Sequence, residues 1–291
     1  MRAKYLNPFT DFGFKKIFGE EASKPLLMDF LNALLPAENR IKQLNFKDKE
    51  QQGDTEYDRK AIYDIYCESE TGEKFIVELQ KAKQNYFIER TVYDSTFPIR
   101  EQAETGKWNF NLKAVFCIGI LDFTFNDYET EPEKKEVVHT IMLKDQNGKT
   151  FYYKLTYIYL EMPNFNKKVD DLETRLDQWL YFIKHLEDFQ GIPVIFKDAI
   201  FQQALHKAEI AKFGPAEMDS YEVSLKVFRD NINTFKYAKE TAYSDGVFEG
   251  KIEGKIEIAQ KLKSKGFTIQ DISQITGLSE EEIEKLYITL K

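Results

Sequence analysis

Two acidic residues interrupt neighbouring segments that otherwise have the composition of hydrophobic β-strands. Asp64 lies within residues 60–67 and Glu78 lies within residues 74–80, and both segments are rich in aromatic and β-branched side chains. The polar stretch 68–73 between them contains a glycine and suits a hairpin turn. A turn at the middle of this stretch sets Asp64 directly opposite Glu78, where like charges destabilise a sheet. The sequence therefore predicts that a divalent cation compensates the pair.

Two carboxylates at this spacing are suited to metal-assisted hydrolysis. Mg²⁺ is often held by one or two carboxylates plus water and substrate phosphates, and the Leu79 carbonyl is a further candidate ligand. A bound Mg²⁺ or Mn²⁺ polarises a phosphoryl oxygen and lowers the pKa of bound water. Gln80 shares the face of Glu78 and is expected to orient water or phosphate, although it carries no charge. The alternative is that the pair is simply solvated on an open sheet face, and a one-residue slip moves Asp64 to the other face.

The pattern around the pair resembles a known nuclease superfamily. An acidic residue on one strand, E-x-Q on the next and then a helix resemble the PD-(D/E)XK nucleases, with Gln80 where many members have lysine. The opening NPFTDFGFKKIFG of residues 7–19 is similar to the start of the Rpn family of recombination-promoting nucleases and putative transposases. The resemblance extends to the helix that carries Tyr86, Phe87, Arg90 and Tyr93, to the Gly/Glu/Lys-rich residues 246–255, and to residues 265–279. It covers most of the chain.

The resemblance implies a fold, an activity and roles for single residues. The implied fold is α/β, with a restriction-endonuclease-like αβββαβ core and a C-terminal helical region. The implied activity is that of a Mg²⁺- or Mn²⁺-dependent DNA endonuclease associated with recombination or mobile elements. Asp64 and Glu78 would bind the metal, and Gln80 would be the third active-site residue. Asp11 would cap a helix or support the site, and Arg90 would bind phosphate bidentately, although a structural role is favoured for both.

Composition limits the classes of protein that the chain can form. A length of 291 residues with 42% hydrophobic and 14% aromatic residues indicates a globular protein with a sizeable core. The net charge of −8 disfavours a protein that coats DNA non-specifically, yet 41 Lys and Arg residues leave room for a local basic face. Cys67 and Cys117 have neither metal-binding nor disulfide spacing. Without an apolar leader at residues 1–10 or a membrane-length apolar run, we expect a cytoplasmic protein with no membrane partner.

Periodicity and breaker residues predict the element order and three regions. The regions are a nuclease-like domain with a β-hairpin extension (1–163), a helical region (164–240), and a connecting helix with a helix-turn-helix-like tail (241–291). The predicted elements are a helix at 22–35, a strand at 41–48, a helix at 85–105 kinked or split by Pro98, a central strand at 112–123 parallel to a neighbour, a hairpin around Asn147–Gly148, and helices at 170–187, 194–212 and 217–239.

Two other functions stay open on the sequence alone. The first is a non-catalytic interaction or regulatory module that has kept the nuclease scaffold, supported by the acidic charge, the missing lysine and the tail. The second is a DNA-binding regulator that acts through the C-terminal hairpin. Four glutamates near the start of the second tail helix, Glu280, Glu281, Glu282 and Glu284, would repel phosphates there. We therefore favour packing or homo-oligomerisation over DNA contact for this tail.

Overall fold

A computed structural model describes residues 3–51, 61–104, 106, 108–125 and 135–288. The chain divides into two compact units between Phe228 and Arg229. The described strands are β1 (Leu44–Phe46), β2 (Glu50–Gln51), β3 (Ala61–Ile62), β4 (Ile65–Ser69), β5 (Lys74–Gln80), β6 (Val115–Leu121), β7 (Val138–Lys144) and β8 (Thr150–Glu161). The described α-helices are α1 (Asp11–Phe18), α2 (Lys24–Leu34), α3 (Phe87–Arg100), α4 (Arg175–His185), α5 (Ala199–Ala208), α6 (Pro215–Ser264), α7 (Ile269–Thr276) and α8 (Glu280–Ile288).

A six-stranded mixed sheet forms the centre of the first unit, in the order β1-β4-β5-β6-β8-β7. Strand β6 is buried along its whole length and lies parallel to both β5 and β8, as the predicted central strand required. The succession of a helix, β1, β4, β5, α3 and β6 confirms the α/β core of the restriction-endonuclease type. The β7–β8 hairpin extends this sheet at one edge and is not a separate appendage.

The register of the β4–β5 hairpin agrees with the sequence prediction. Ile65 pairs with Val77, and continuing this register by one residue brings Asp64 level with Glu78. The prediction of one strand over 60–67 is wrong, because Ala61 and Ile62 pair with β2 in a separate two-stranded ribbon. Lys60 and most of the charged connection before it lie outside the described residues. The strand is therefore broken immediately before the hairpin, at Asp64.

Side chains from the two faces of the sheet enter two separate hydrophobic clusters. Ile65 and Val77 belong to the larger cluster with α1, α2, α4 and α5, whereas their neighbours Tyr66 and Ile76 face α3. The larger cluster is rich in aromatic residues, including Phe18, Phe30, Trp179 and Phe201. Because both faces are covered, a polar group on either face needs a specific partner.

Helix α3 continues through Pro98, so of the two predicted effects, a kink or a split, the split is wrong. A proline inside a helix cannot donate to the carbonyl four residues earlier, which here is that of Asp94. The hydroxyl of the buried Tyr63 donates to this carbonyl at 2.8 Å. The connection between β3 and β4 thus supplies the hydrogen bond that Pro98 removes, and it fixes Tyr63 against α3.

The second unit has a small core of its own and the predicted helical tail. Ala259 of α6 packs with Ile272, Leu278 and Ile283 in one buried cluster. Thr268 caps α7, and Gly277 ends it with a φ of +67°, a conformation that favours glycine. Helix α8 begins with the predicted capping box, since Ser279 and Glu282 each accept a hydrogen bond from the other's backbone N–H.

Two further expectations concern cysteines and membrane spans. Cys67 and Cys117 are both buried and carry free thiols, so no disulfide joins them. Among the residues described, no helix is both long and apolar enough to cross a bilayer.

The contact between Tyr63 and the Asp94 carbonyl yields a prediction about stability. Tyr63→Phe keeps the buried ring but leaves this carbonyl without its partner, so we expect the free energy of unfolding to fall by about 1–2 kcal/mol. In a Pro98→Ala background the restored N–H can serve the same carbonyl, and Tyr63→Phe is expected to cost less than half as much. Urea denaturation of the four proteins measures both costs. Equal costs in the two backgrounds would contradict this account of α3.

Candidate active site

Asp64 and Glu78 are joined by an exchange of hydrogen bonds between side chain and backbone. The Leu79 N–H donates to Asp64 Oδ2 at 2.9 Å, and the Asp64 N–H donates to Glu78 Oε1 at 3.0 Å. These two bonds extend the pairing of the hairpin to the residue before β4, in place of the regular backbone ladder. One oxygen of each carboxylate is therefore fixed by the backbone, and the orientation of both groups is set before any ligand binds.

Both carboxyl groups resist ionisation in this position. Burial, together with the charge of Asp64, raises the pKa of Glu78 to about 8. Burial also raises the pKa of Asp64, although the Leu79 N–H and the Lys15 ammonium act in the opposite direction. A third carboxyl group, that of Asp94, likewise has its pKa raised by burial and adds to the negative potential at Glu78. The site thus concentrates acidic groups where a cation would stabilise their charged forms.

The donor set fits a hard divalent cation. Within the described part of the chain, no cluster of three or more His, Cys, Asp and Glu side chains is arranged to hold a metal. Asp64 and Glu78 would supply two oxygen donors to such a cation, and water and substrate oxygens would take the remaining positions. Mg²⁺ and Mn²⁺ are commonly bound in this way, whereas structural zinc requires four closed N or S ligands.

Lys15 of α1 reaches the same site and was not predicted from the sequence. Its Nζ lies 2.7 Å from Asp11 Oδ1 and 3.8 Å from Asp64 Oδ1. Burial lowers the pKa of Lys15, but the hydrogen bond to Asp11 and the charges of Asp11, Asp64 and Glu78 outweigh it, so the pKa is raised. Lys15 is therefore protonated, and Asp11 holds its ammonium group beside Asp64. The signal in the sequence was the i, i+4 spacing of Asp11 and Lys15 on one helix face.

Asp11 does not cap α1, which corrects that part of the prediction. Thr10 is the cap: its backbone is extended, and its hydroxyl accepts the Gly13 N–H at 3.0 Å. Asp11 is already helical, so its side chain is directed to Lys15 instead. It reaches the site only through Lys15 and through its own charge, which acts on Asp64.

Gln80 ends β5 and shares the face of Glu78 by the alternation of the strand. Its backbone carbonyl accepts the Asp122 N–H at 2.9 Å, which ties the ends of β5 and β6 together. The next residue, Lys81, is a second cation near the site. Burial lowers the pKa of Lys81, while the charges of Asp11 and Asp64 oppose this shift.

Arg90 lies on the exposed side of α3, near the acidic cluster but not in contact with it. Its Nη1 donates to Gln84 Oε1 at 2.8 Å, and its guanidinium lies over the Phe87 ring, 5.8 Å from the centroid. Its positive charge acts to lower the pKa of both Glu78 and Asp94. Asp64 and Glu78 therefore lie side by side in the structure, and Asp11 contacts this pair only through Lys15. Arg90 lies near the pair and influences it only through its charge.

A small cavity adjoins Glu78 beneath α3. It measures about 20 Å³, which is room for about one water molecule, and Asp94 and Thr91 line it together with Glu78. Gly119, the partner of Glu78 on β6, also lines it, and a Cβ there would lie 2.8 Å from the Tyr159 ring. The sequence did not single out Asp94, although its spacing of four residues from Arg90 was visible.

The raised pKa of Glu78 makes the metal-free protein less stable as the pH rises. From its ordinary value of 4.5 up to about 8, the unfolded chain loses the Glu78 proton that the folded chain keeps. Glu78→Gln should therefore raise the free energy of unfolding by about 2–4 kcal/mol at pH 8 and change it little at pH 4.5. Urea denaturation in EDTA at several pH values measures the difference, with the exposed Glu89→Gln as control. A difference that does not vary with pH would contradict this electrostatic account.

Comparison with known families identifies the fold that carries this site. No curated protein and no solved structure gives a significant match to the chain. Residues 8–238 match the family described as PD-(D/E)XK nuclease family transposase, a range that includes the whole sheet and every site residue named above. Asp64 lies immediately before one hairpin strand and Glu78 lies within the next. With most of its length matched by the family model, the chain belongs to the PD-(D/E)XK nuclease family transposases.

Proposed function

We propose that this protein is a metal-dependent DNA endonuclease that acts on phosphodiester bonds in connection with recombination or mobile elements. The observation that carries the proposal is the exchange of hydrogen bonds between Asp64 and Glu78, which orients two carboxylates that ionise reluctantly without a cation. Membership of a nuclease family supports it independently. The cation is Mg²⁺ or Mn²⁺, held by Asp64 and Glu78.

The roles of the protein groups follow from their positions. A cation held by Asp64 and Glu78 would supply a Lewis acid that polarises a phosphoryl oxygen and lowers the pKa of a coordinated water. Gln80, on the face of Glu78, orients the water or a phosphate oxygen through its amide. Arg90, whose guanidinium is exposed beside the acidic cluster, binds the phosphate backbone outside the reacting group.

Lys15 supplies the positive charge that Gln80 cannot. Many members of the superfamily have lysine at the position of Gln80, and a fixed cation there stabilises the negative charge of the transition state. The ammonium of Lys15 is held by Asp11 within 3.8 Å of Asp64 Oδ1. Asp11 is in this account a positioning residue that acts through Lys15. Lys81 is less suited to the role, because burial lowers its pKa.

The nuclease proposal predicts cleavage of supercoiled plasmid that requires both the cation and Asp64. Asp64→Asn keeps an oxygen that can accept the Leu79 N–H but removes the charge, so it should abolish cleavage while the thermal melting curve stays cooperative. EDTA should also abolish cleavage, and Glu89→Gln should leave it unchanged. Cleavage in EDTA, or equal cleavage by Asp64→Asn, would contradict the proposal. A folded wild-type protein that cleaves neither duplex nor single-stranded DNA would favour the regulatory scaffold, which the net charge of −8 also suits.

The role of Lys15 predicts a graded series of rates. Lys15→Met should lower the rate constant for cleavage by about 10²-fold, whereas Lys15→Arg should retain more activity because it keeps the charge. Asp11→Asn should fall between them, and Lys81→Met should have a smaller effect than Lys15→Met. Single-turnover cleavage at saturating metal measures these rates, and metal affinity is measured in parallel. A Lys15→Met protein that is impaired only in metal affinity would contradict a role in stabilising the transition state.

A further inference from the structure

A second cavity lies on the α3 side of the sheet, next to the small cavity that adjoins Glu78. It measures about 120 Å³ and lies between α3 and the β7–β8 hairpin. Ile88 and Val92 line it from α3, and Tyr157 and Tyr159 line it from β8. We call it the tyrosine pocket; its remaining lining residues are Phe125, His139 and Ile141. Because the lining is mainly apolar and aromatic, the pocket suits an apolar or aromatic ligand better than water.

The register of the sheet places the tyrosine pocket in line with Glu78. Glu78 of β5 pairs with Gly119 of β6, which pairs with Tyr159 of β8, and residues paired in this way share a face of the sheet. Since neighbouring strands lie about 5 Å apart, the Cα atoms of Glu78 and Tyr159 are about 10 Å apart. Tyr159 lines both cavities, and its ring lies over Gly119. A DNA strand bound at Glu78 therefore reaches the pocket within a few nucleotides.

Hydrogen bonds to α3 hold the two tyrosine rings of the pocket in place. The hydroxyl oxygens of Tyr159 and Thr91 lie 2.7 Å apart, and those of Tyr157 and Ser95 lie 2.8 Å apart. The rings are nearly parallel, with an angle of 20° between their planes. A planar ligand can stack on such a wall without first ordering its side chains.

The volume of the pocket selects the kind of ring that it accepts. An apolar protein cavity of about 150 Å³ binds benzene. The tyrosine pocket, at about 120 Å³, therefore fits one six-membered ring better than a fused purine. Among the bases of DNA this favours cytosine and thymine. A base inside a duplex is paired and stacked, so only an unpaired or extruded base can enter a pocket of this kind.

We propose that the tyrosine pocket binds an unpaired pyrimidine base of the DNA strand that is held at Asp64 and Glu78. The inference rests on the proposed nuclease function and names its substrate class, which is single-stranded DNA or duplex DNA with an unpaired pyrimidine near the scissile bond. The base stacks on the wall formed by Tyr157 and Tyr159, and Val92 of α3 borders it.

Fluorescence anisotropy of short labelled DNA strands in Mg²⁺ tests this proposal, with Asp64→Asn protein so that the DNA is not cleaved. Thymidine strands should bind at least about fivefold more tightly than adenosine strands or the duplex of the two, because a stacked base is gained. Val92→Phe should fill the pocket and remove this preference. The matched control is Val227→Phe, since Val92 and Val227 both lie on helices and are 48% and 49% exposed.

Two further measurements do not depend on the filling variant. Ile141→Ala enlarges the pocket and should bring the affinity for adenosine strands close to that for thymidine strands. Single-stranded DNA that carries 5-iodouracil should crosslink on irradiation to Tyr157, Tyr159 or His139, which mass spectrometry of the digested protein identifies. Thermal melting shows that each variant is folded.

Crosslinks that form only outside the pocket would overturn the proposal. Equal affinities for the three forms of DNA, or a thymidine preference that survives Val92→Phe, would also overturn it. Plasmid cleavage that requires Asp64, without a thymidine preference in binding, would refute the pocket and leave the nuclease proposal standing. Thymidine binding in the pocket by a wild-type protein that cleaves no DNA would refute the nuclease proposal and leave the base pocket standing.

Discussion

The site depends on keeping two carboxylates adjacent at a place where neither ionises easily. Burial raises the pKa of both Asp64 and Glu78. The two side chains are held in place because each carboxylate accepts a hydrogen bond from a backbone N–H across the hairpin. That exchange is possible only when β4 begins after Asp64, because a regular strand would place the Asp64 N–H and side chain elsewhere. The break in the strand is therefore part of the site.

The surrounding elements make this arrangement tolerable to the fold. Helix α1 brings the charge of Lys15 to 3.8 Å from Asp64 Oδ1, while α3 adds the carboxyl group of Asp94, which lines the same small cavity as Glu78. Tyr63, immediately before Asp64, is anchored to the carbonyl that Pro98 leaves open in α3. Two aromatic-rich clusters pack on opposite faces of the sheet. Their stabilising free energy offsets the destabilisation caused by the buried acidic groups.

Local patterns in the sequence predicted the sheet and the hairpin register well, because a short turn between alternating strands leaves few alternatives. The end of the strand at Asp64 was missed, since the residues before it have the composition of a strand yet pair with β2. Lys15 was missed because its closeness to Asp64 comes from the packing of α1 against the sheet, over a long separation in sequence. Capping of α1 was one of two roles considered for Asp11, and the cap is Thr10, a shift of one residue that only backbone geometry decides. The roles of Gln80 and Arg90 remain predictions.

The central claim is that Asp64 and Glu78 together bind one divalent cation. Anomalous X-ray diffraction from crystals of the protein soaked in Mn²⁺ tests it most directly, because it locates the metal without reference to activity. The account predicts one strong peak within coordination distance of a carboxylate oxygen of Asp64 and of Glu78, and its loss in Asp64→Asn. A Mn²⁺ peak only at another place in the protein, or no peak between these two side chains at saturating Mn²⁺, would contradict the account.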